Sequence, residues 1–415
     1  MRYTKCQKIF GALLAAVLLI CTLPLCGFAE TEENTLQFHN GKFEILILSD
    51  VQDTDTPQKE TTALLEAALD STHPDLVVLL GDNTAGWWKG VDKAKTQAAV
   101  DAVAKPLDSR GIPFALVFGN HDHEGLCSDE NGMTEEEAKQ FLLSCFQKYE
   151  TCLAVAGEDL TGLCNYNLPI KSSDGQKIAY NLWFMDSNPY TPESEGGGYG
   201  YVHPDQIAWY EETAAELKAQ NGGETVPAML FQHIVVPEVY DMLKEVERGT
   251  AGAVRGSGIW KDKYYTVSDA VYQGALNEGP CPSNKNGGQF DSWLQTGDIV
   301  AAFFGHDHVN DFAGVYKGIH LVATPDVTFY SYGNRRGVRT ITLDEENTST
   351  FTSEILTFAD LTDLKVTNLY KANHGYYEYR YRFLPIALGV LGGAAVIAAG
   401  AVVLRKVWKK RKGRG

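Results

Sequence analysis

Short apolar runs punctuate the first 345 residues of this chain, and amphipathic stretches separate them. Phe43–Ser49 (FEILILS), Asp75–Leu80 (DLVVLL) and Pro113–Phe118 (PFALVF) are runs of strand length, rich in β formers, without polar alternation. That pattern fits strands covered on both faces. Between them, Thr61–Leu69 and Ala94–Leu107 place apolar residues at helical spacing. The β-α-β-α-β order predicts an α/β fold with a doubly covered sheet. Further on, the pattern predicts a surface helix over Glu135–Lys148. It predicts a strand pair, Asn165–Ile170 and Lys177–Asp186, around the Ser-Asp-Gly turn at 173–175, then a helix over Asp205–Ala219. Strands follow at Ala228–Gln232, Ile299–Phe304, Ile319–Ala323 and Val338–Leu343. Tyr240–Gly288 mixes its signals and carries many glycines, so it reads as an irregular insertion. Residues 357–382 turn polar and aromatic, which suggests a stalk.

The two ends follow a different pattern. Arg2, Lys5 and Lys8 precede an apolar run, Ile9–Leu25, and then Gly27-Phe28-Ala29 before an acidic stretch. This is the layout of a secretory signal peptide over residues 1–29, with an uncleaved anchor as the alternative. Phe383–Leu404 is an uncharged apolar stretch of 22 residues. At about 1.5 Å per residue it is long enough to cross a hydrocarbon layer of roughly 30 Å. Seven Lys and Arg residues crowd the final segment, 405–415, as expected for the cytoplasmic side. These ends predict a single-pass cell-membrane protein with residues 38–356 as its extracellular domain.

Charge narrows the partners. The whole chain carries −17. Setting aside three basic residues in the leader and seven in the tail leaves 26 Lys+Arg against 53 Asp+Glu, or −27. A domain so acidic is not expected to hold long nucleic acid by charge. Five cysteines lie outside the leader: Cys127, Cys145, Cys152, Cys164 and Cys281. Four fall within 127–164, where an exported setting allows a local disulfide staple, and the odd count leaves one unpaired.

The chemistry gathers where strands end. Ser49-Asp50-Val51-Gln52, Gly81-Asp82-Asn83, Gly119-Asn120-His121-Asp122, Gln232-His233 and Gly305-His306-Asp307-His308 each follow an apolar run directly. Strand C-termini in open α/β sheets converge on one edge, where ligands bind. The donors are carboxylates, carboxamides and imidazoles. That mixture suits a pair of Fe, Mn or Zn ions, with Mg as a harder alternative. Each segment alone is weak, since a single His after a strand is more often a hydrogen-bonded structural residue. Five together form a pattern. His123 reads as a solvent-facing loop residue and His203, before Pro204, as a structural one. Trp87 and Trp88 fit either the site mouth or the core.

The order of these segments resembles the calcineurin-like metallophosphoesterases over roughly Phe43–Leu343. The stretches His233–Glu238, Gly305–Asp311 and Arg336–Arg339 are similar to the purple-acid-phosphatase-like branch that lacks the colour-giving tyrosine. The resemblance implies a four-layer α/β/β/α sandwich with a dinuclear metal site. One ion would be held by Asp50, Gln52, Asp82 and His308, the other by Asp82, Asn120, His233 and His306. His121 would serve the leaving oxygen as acid or charge stabiliser, oriented by Asp122. The implied activity is hydrolysis of a small phosphate ester by an activated water in line with the leaving group. A monoester is favoured over a diester or nucleotide, and a catalytically silent binding domain on the same fold is the alternative. One departure stands out. Gln52 occupies the place of a histidine, so it either ligates through its amide oxygen or acts through a neighbouring ligand.

Overall fold

The computed structural model describes residues 35–412. The expected signal peptide, 1–29, lies outside them, as do the last three residues of the basic tail.

The elements follow the predicted order. They run β1 (Lys42–Leu48), α1 (Lys59–Thr72), β2 (Leu76–Leu80), α2 (Lys93–Asp108), β3 (Phe114–Val117) and α3 (Glu135–Phe146). Next come β4 (Tyr166–Lys171), β5 (Ile178–Phe184), α4 (Pro204–Gln220), β6 (Ala228–Phe231) and α5 (Val239–Met242). The insertion holds β7 (Lys244–Val246), β8 (Val254–Arg255), β9 (Tyr264–Thr266) and β10 (Val271–Gln273). After it come α6 (Gln289–Thr296), β11 (Ile299–Phe304), β12 (Ala313–Tyr316), β13 (Ile319–Ala323), β14 (Gly337–Asp344) and β15 (Phe351–Thr357). Local chemistry sets several boundaries. Asp92 caps α2, and Thr134 with Glu137 forms a reciprocal capping box at α3.

Two sheets carry the domain. One has the order β15-β14-β1-β2-β3, the other β10-β12-β13-β11-β6-β5-β4. The inner strands β1–β3 run parallel, as do β5, β6, β11 and β13. Strand periodicity shows how the layers stack. Met229, Phe231, Ala301 and Phe303 join the core shared with β1–β3 and α1–α3. Their alternating neighbours Ala228, Leu230, Ala302 and Phe304 join a second core under α4 and α6, with Trp209, Tyr210 and Trp293. The seven-stranded sheet is therefore buried on both faces, and the expected four-layer α/β/β/α sandwich is present. Each fully buried Leu, Ile or Phe in these cores contributes about 1.5–3 kcal/mol.

Three expectations need correction. The insertion is not irregular throughout: β7, β9 and β8 form their own small sheet, and β10 extends the large one. The cysteine staple is not formed either, because all five cysteines are free. Cys145 and Cys164 are packed in the main core as small apolar side chains, and burial pushes the Cys152 thiol up to about 12. Residues 357–382, finally, do not stand apart as a stalk. They form α7 (Phe358–Leu361), α8 (Leu369–Tyr377) and a π-helical turn, Glu378–Phe383, that runs on into α9 (Leu384–Lys412). Within α8, Gly375 takes φ 72°, which bends the chain onto the domain. There the Tyr376 and Tyr377 amides donate to the Phe329 and Tyr330 carbonyls, both at 2.9 Å. The helix Leu369–Val402 is long and apolar enough to cross a membrane, and none of its most apolar window is buried.

Candidate metal centre

Asp50, Asp82 and Asn120 follow β1, β2 and β3, and His233, His306 and His308 follow β6 and β11. The cluster therefore straddles the seam between the two sheets. His233 Nε2 lies 3.4 Å from Asp82 Oδ2 and 4.0 Å from Asp50 Oδ1. His308 Nε2 lies 3.5 Å from the same Asp50 oxygen. Donor atoms of Asp50, Asp82 and His233 fall within 4.8 Å of one another. The His306 amide donates to Asp50 Oδ2 at 3.0 Å, and the His121 amide to Asp82 Oδ1 at 2.8 Å. Gln52 Nε2 donates to Asp82 Oδ2 at 3.0 Å.

The backbone is strained where these donors sit. Of nine non-glycine residues with positive φ among those described, four are Asp50, Gln52, Asp82 and His306. Such conformations cost of order 1–3 kcal/mol each and concentrate at functional sites. Gly81 shows the crowding directly. It has φ 86°, and a Cβ there would lie 2.5 Å from His233 Nδ1.

Whether the residues fit metal ions is answered by their unsatisfied atoms. Asp50 Oδ1, Gln52 Oε1, Asn120 Oδ1, His233 Nε2 and His306 Nε2 are buried without a hydrogen-bond partner. A buried polar atom left unpaired costs about 1–3 kcal/mol, so five in one cluster signal a ligand. The tautomers agree. His233 Nδ1 faces the Leu80 carbonyl at 2.9 Å, and His308 Nδ1 faces the Tyr332 carbonyl at 2.7 Å. Each Nδ1 then carries the proton, which leaves Nε2 free to ligate. Asp326, 3.6 Å from His308 Nδ1, backs that ring.

The electrostatics also favour a cation. Burial alone would lower the His233 and His308 imidazoles. Asp82 and Asp50 instead raise His233 to about 9, and Asp326 and Asp50 raise His308 to about 10. Burial pushes Asp50 up, whereas His233 and His121 overcome burial at Asp82 and hold it below the usual carboxylate range. The carboxylates thus stabilise positive charge at this seam, whether carried by protons or by metal ions.

Residues around the cluster differ from expectation in two places. Asp122 does not orient His121. Its carboxylate accepts from the Gly119 and Thr84 amides at 2.8 and 2.9 Å and so fixes the turn after β3. The partner of His121 is Glu124, 2.8 Å from Nδ1. Glu124 was legible only as a carboxylate three residues on. His123 is not solvent-facing but buried, 4.0 Å from Glu135. His203 caps the start of α4, where its amide donates to Gln206. Three tyrosines carried no local signal. Tyr190 accepts from Asn120 Nδ2 at 3.0 Å, Tyr199 meets His306 edge-on at 4.2 Å, and Tyr332 stacks on His308 at 4.3 Å.

The cluster opens into a cavity of about 330 Å³. Trp87, His121 and Tyr199 form part of its wall, and Trp88 packs in a small core beside it. The insertion contributes Cys281 to the lining, and its Glu278 accepts from the Tyr332 hydroxyl. The C-terminal segment contributes Tyr377, Glu378 and Arg382.

The family model described as calcineurin-like phosphoesterase matches residues 43–310. Among curated relatives, the probable inactive purple acid phosphatase 14 of Arabidopsis thaliana is 27% identical over 388 residues, covering 84% of this chain and 87% of that one. The probable inactive purple acid phosphatase 29 of the same plant is 25% identical over 372 residues, covering 81% and 87%. A solved dimetal phosphatase from Danio rerio aligns with a TM-score of 0.39 at 13% identity, covering 76% of this chain and 99% of that one.

Proposed function

The chain belongs to the calcineurin-like phosphoesterase family, and from that premise we propose that it is a metal-dependent phosphate ester hydrolase held at the outer face of the cell membrane. The observation that carries this reading is the set of five unpaired buried donor atoms on strand-end residues, with Asp50, Asp82 and His233 within 4.8 Å of one another at the seam of the two sheets. Asp50, Gln52, Asp82 and His308 would hold one ion, and Asp82, Asn120, His233 and His306 the other. Two divalent cations there would supply Lewis acidity, lowering the pKa of water and offsetting phosphoryl charge.

The chain's own residues do the rest. Glu124 holds His121 through Nδ1, which leaves Nε2 to give a proton to the leaving oxygen. Asp122 fixes the turn that carries both Asn120 and His121. Trp87 and Tyr199 stand in the cavity wall, where they would shield part of the ester from bulk water. A phosphomonoester is favoured over a diester or nucleotide.

Gln52 favours a second reading. It replaces an imidazole with a neutral amide, and its Nε2 is spent on Asp82. The two plant relatives are named probable inactive, a statement about those proteins. A silent domain would bind phosphate compounds without cutting them.

Aryl phosphate turnover decides between the readings. The protein is stripped of metal, resupplied with Mn, Fe, Zn or Mg, and compared with His121→Ala and Asp82→Asn. Metal-dependent turnover lost in both variants is the expected result. Binding of metal with no turnover of any mono- or diester would leave the silent reading.

A further inference from the structure

Three residues of the cavity lining come from the turns immediately before the apolar stretch that begins at Phe383. Tyr377 packs edge-on against Trp87 at 4.5 Å, and Trp87 in turn faces His121 at 6.3 Å. Glu378 and Arg382 line the cavity and pair with each other at 2.7 Å. Glu378 precedes Phe383 by five residues, about 8 Å of helix axis. That is roughly the depth of the headgroup layer on one side of a bilayer. Tyr381 and Phe383 are exposed, and so is Tyr332, which stacks on His308 at the cavity. Such exposed aromatic side chains suit a membrane interface.

The position is held in place. Besides the Tyr376 and Tyr377 amide bonds, the Gly333 amide donates to the Asn373 carbonyl, and Arg336 donates to the Ala372 carbonyl. Lys371 lies 3.5 Å from Glu60 on α1. The wall of the metal cavity and the start of the apolar helix are therefore one continuous piece of backbone.

From this placement we infer that the substrate is a lipid bearing a terminal phosphate, presented from the membrane that the protein itself enters. The inference rests on the hydrolase reading above and on α9 crossing the bilayer. A soluble ester would need no such alignment. A lipid headgroup would reach the cavity beneath Arg382 while its chains stay in the bilayer. Arg382 offers a fork of donors suited to phosphate, and Trp87, Tyr377 and Tyr332 offer apolar surface to the first carbons of the lipid. In the reaction, water oxygen forms a bond to phosphorus and the bond from phosphorus to the lipid oxygen breaks. The lipid leaves as its alcohol with the proton that His121 gives it, one proton of the water restores His121, and inorganic phosphate is released.

The test uses the full chain reconstituted in phosphatidylcholine vesicles with the activating metal. Phosphatidic acid is placed either in the same vesicles or in separate ones. Glycerol 3-phosphate and an aryl phosphate are supplied in solution as parallel substrates. Tethering to the substrate's own bilayer is expected to favour phosphatidic acid in the same vesicle by about 100-fold over separate vesicles. It is also expected to exceed glycerol 3-phosphate. Turnover of the soluble esters with none of phosphatidic acid in the same vesicle would overturn the inference and leave the hydrolase reading standing. Equal rates in the same and in separate vesicles would overturn it too. No turnover of any of the four would overturn both.

Discussion

At the scale of single residues, the strongest constraints come from atoms with no room and atoms with no partner. Gly81 has no room. Replacing it with alanine puts a methyl group 2.5 Å from the His233 ring and forces an L side chain to φ 86°. Gly81→Ala is expected to lose bound metal even where the fold survives, as read by metal content beside circular dichroism. A second constraint lies away from the site. Lys139 is buried and donates to Asp186 at 2.7 Å, with Glu135 3.0 Å away. Breaking such a pair strands a charge, so Lys139→Ala or Asp186→Ala is expected to cost about 3–5 kcal/mol in denaturant titrations. The double change to Met and Leu is expected to recover part of it. Burial alone would lower the Lys139 ammonium. Asp186 and Glu135 instead raise it above its ordinary value. A raised folded value means that this contribution is whole below the ordinary lysine range. It is lost as pH climbs through the folded value, so the gap between wild type and the double variant narrows only in strong alkali. Residue types at strand ends announced the donors, but spacing could not tell which carboxylate serves His121. Asp122 is adjacent in sequence, yet the turn after β3 directs it to amides, and Glu124 reaches the ring.

At the scale of elements, sequence periodicity located the buried strands because their apolar runs are continuous. It located α1 to α4 because their apolar faces recur at helical spacing. The α3 boundary is set by the reciprocal cap of Thr134 and Glu137. Thr134→Ala is expected to cost about 1 kcal/mol in thermal or denaturant unfolding. The docking of residues 357–382 was not legible. It depends on backbone hydrogen bonds to residues 329–333, on one glycine, and on Tyr376 and Tyr377 packing beside Trp87, and none of these leaves a periodic apolar pattern. Gly375 makes the point testable. A Cβ there would lie 1.9 Å from the Ser331 carbonyl oxygen, at φ 72°. Gly375→Ala is expected to release α8 from the domain. Limited proteolysis of the detergent-solubilised protein would then cut within 362–382 much faster than in wild type. Unchanged protection would mean that the amide bonds to Phe329 and Tyr330 survive without the bend.

At the scale of the whole molecule, the site is shared between the two sheets. The five-stranded sheet supplies Asp50, Gln52, Asp82 and Asn120, and the seven-stranded sheet supplies His233, His306 and His308. Packing between the sheets rests on apolar side chains such as Phe231 and Phe303, which hold the sandwich without metal. At the strand ends that packing gives way to carboxylates and imidazoles, and like charges there resist closure. Asp50 Oδ1 has no hydrogen-bond donor and lies between His233 and His308. Cations bound at this seam would link the sheets where apolar contact cannot. Ligand binding to the folded state adds about 4 kcal/mol per site at a thousandfold excess over the dissociation constant. Chelation is therefore expected to lower the unfolding temperature and returned Mn or Zn to restore it. Asp82→Asn, which weakens the carboxylate proposed to serve both ions, is expected to blunt the response. A melting curve indifferent to chelator and metal, in a protein that retains its secondary structure, would mean that the seam closes on hydrogen bonds and protonated histidines alone.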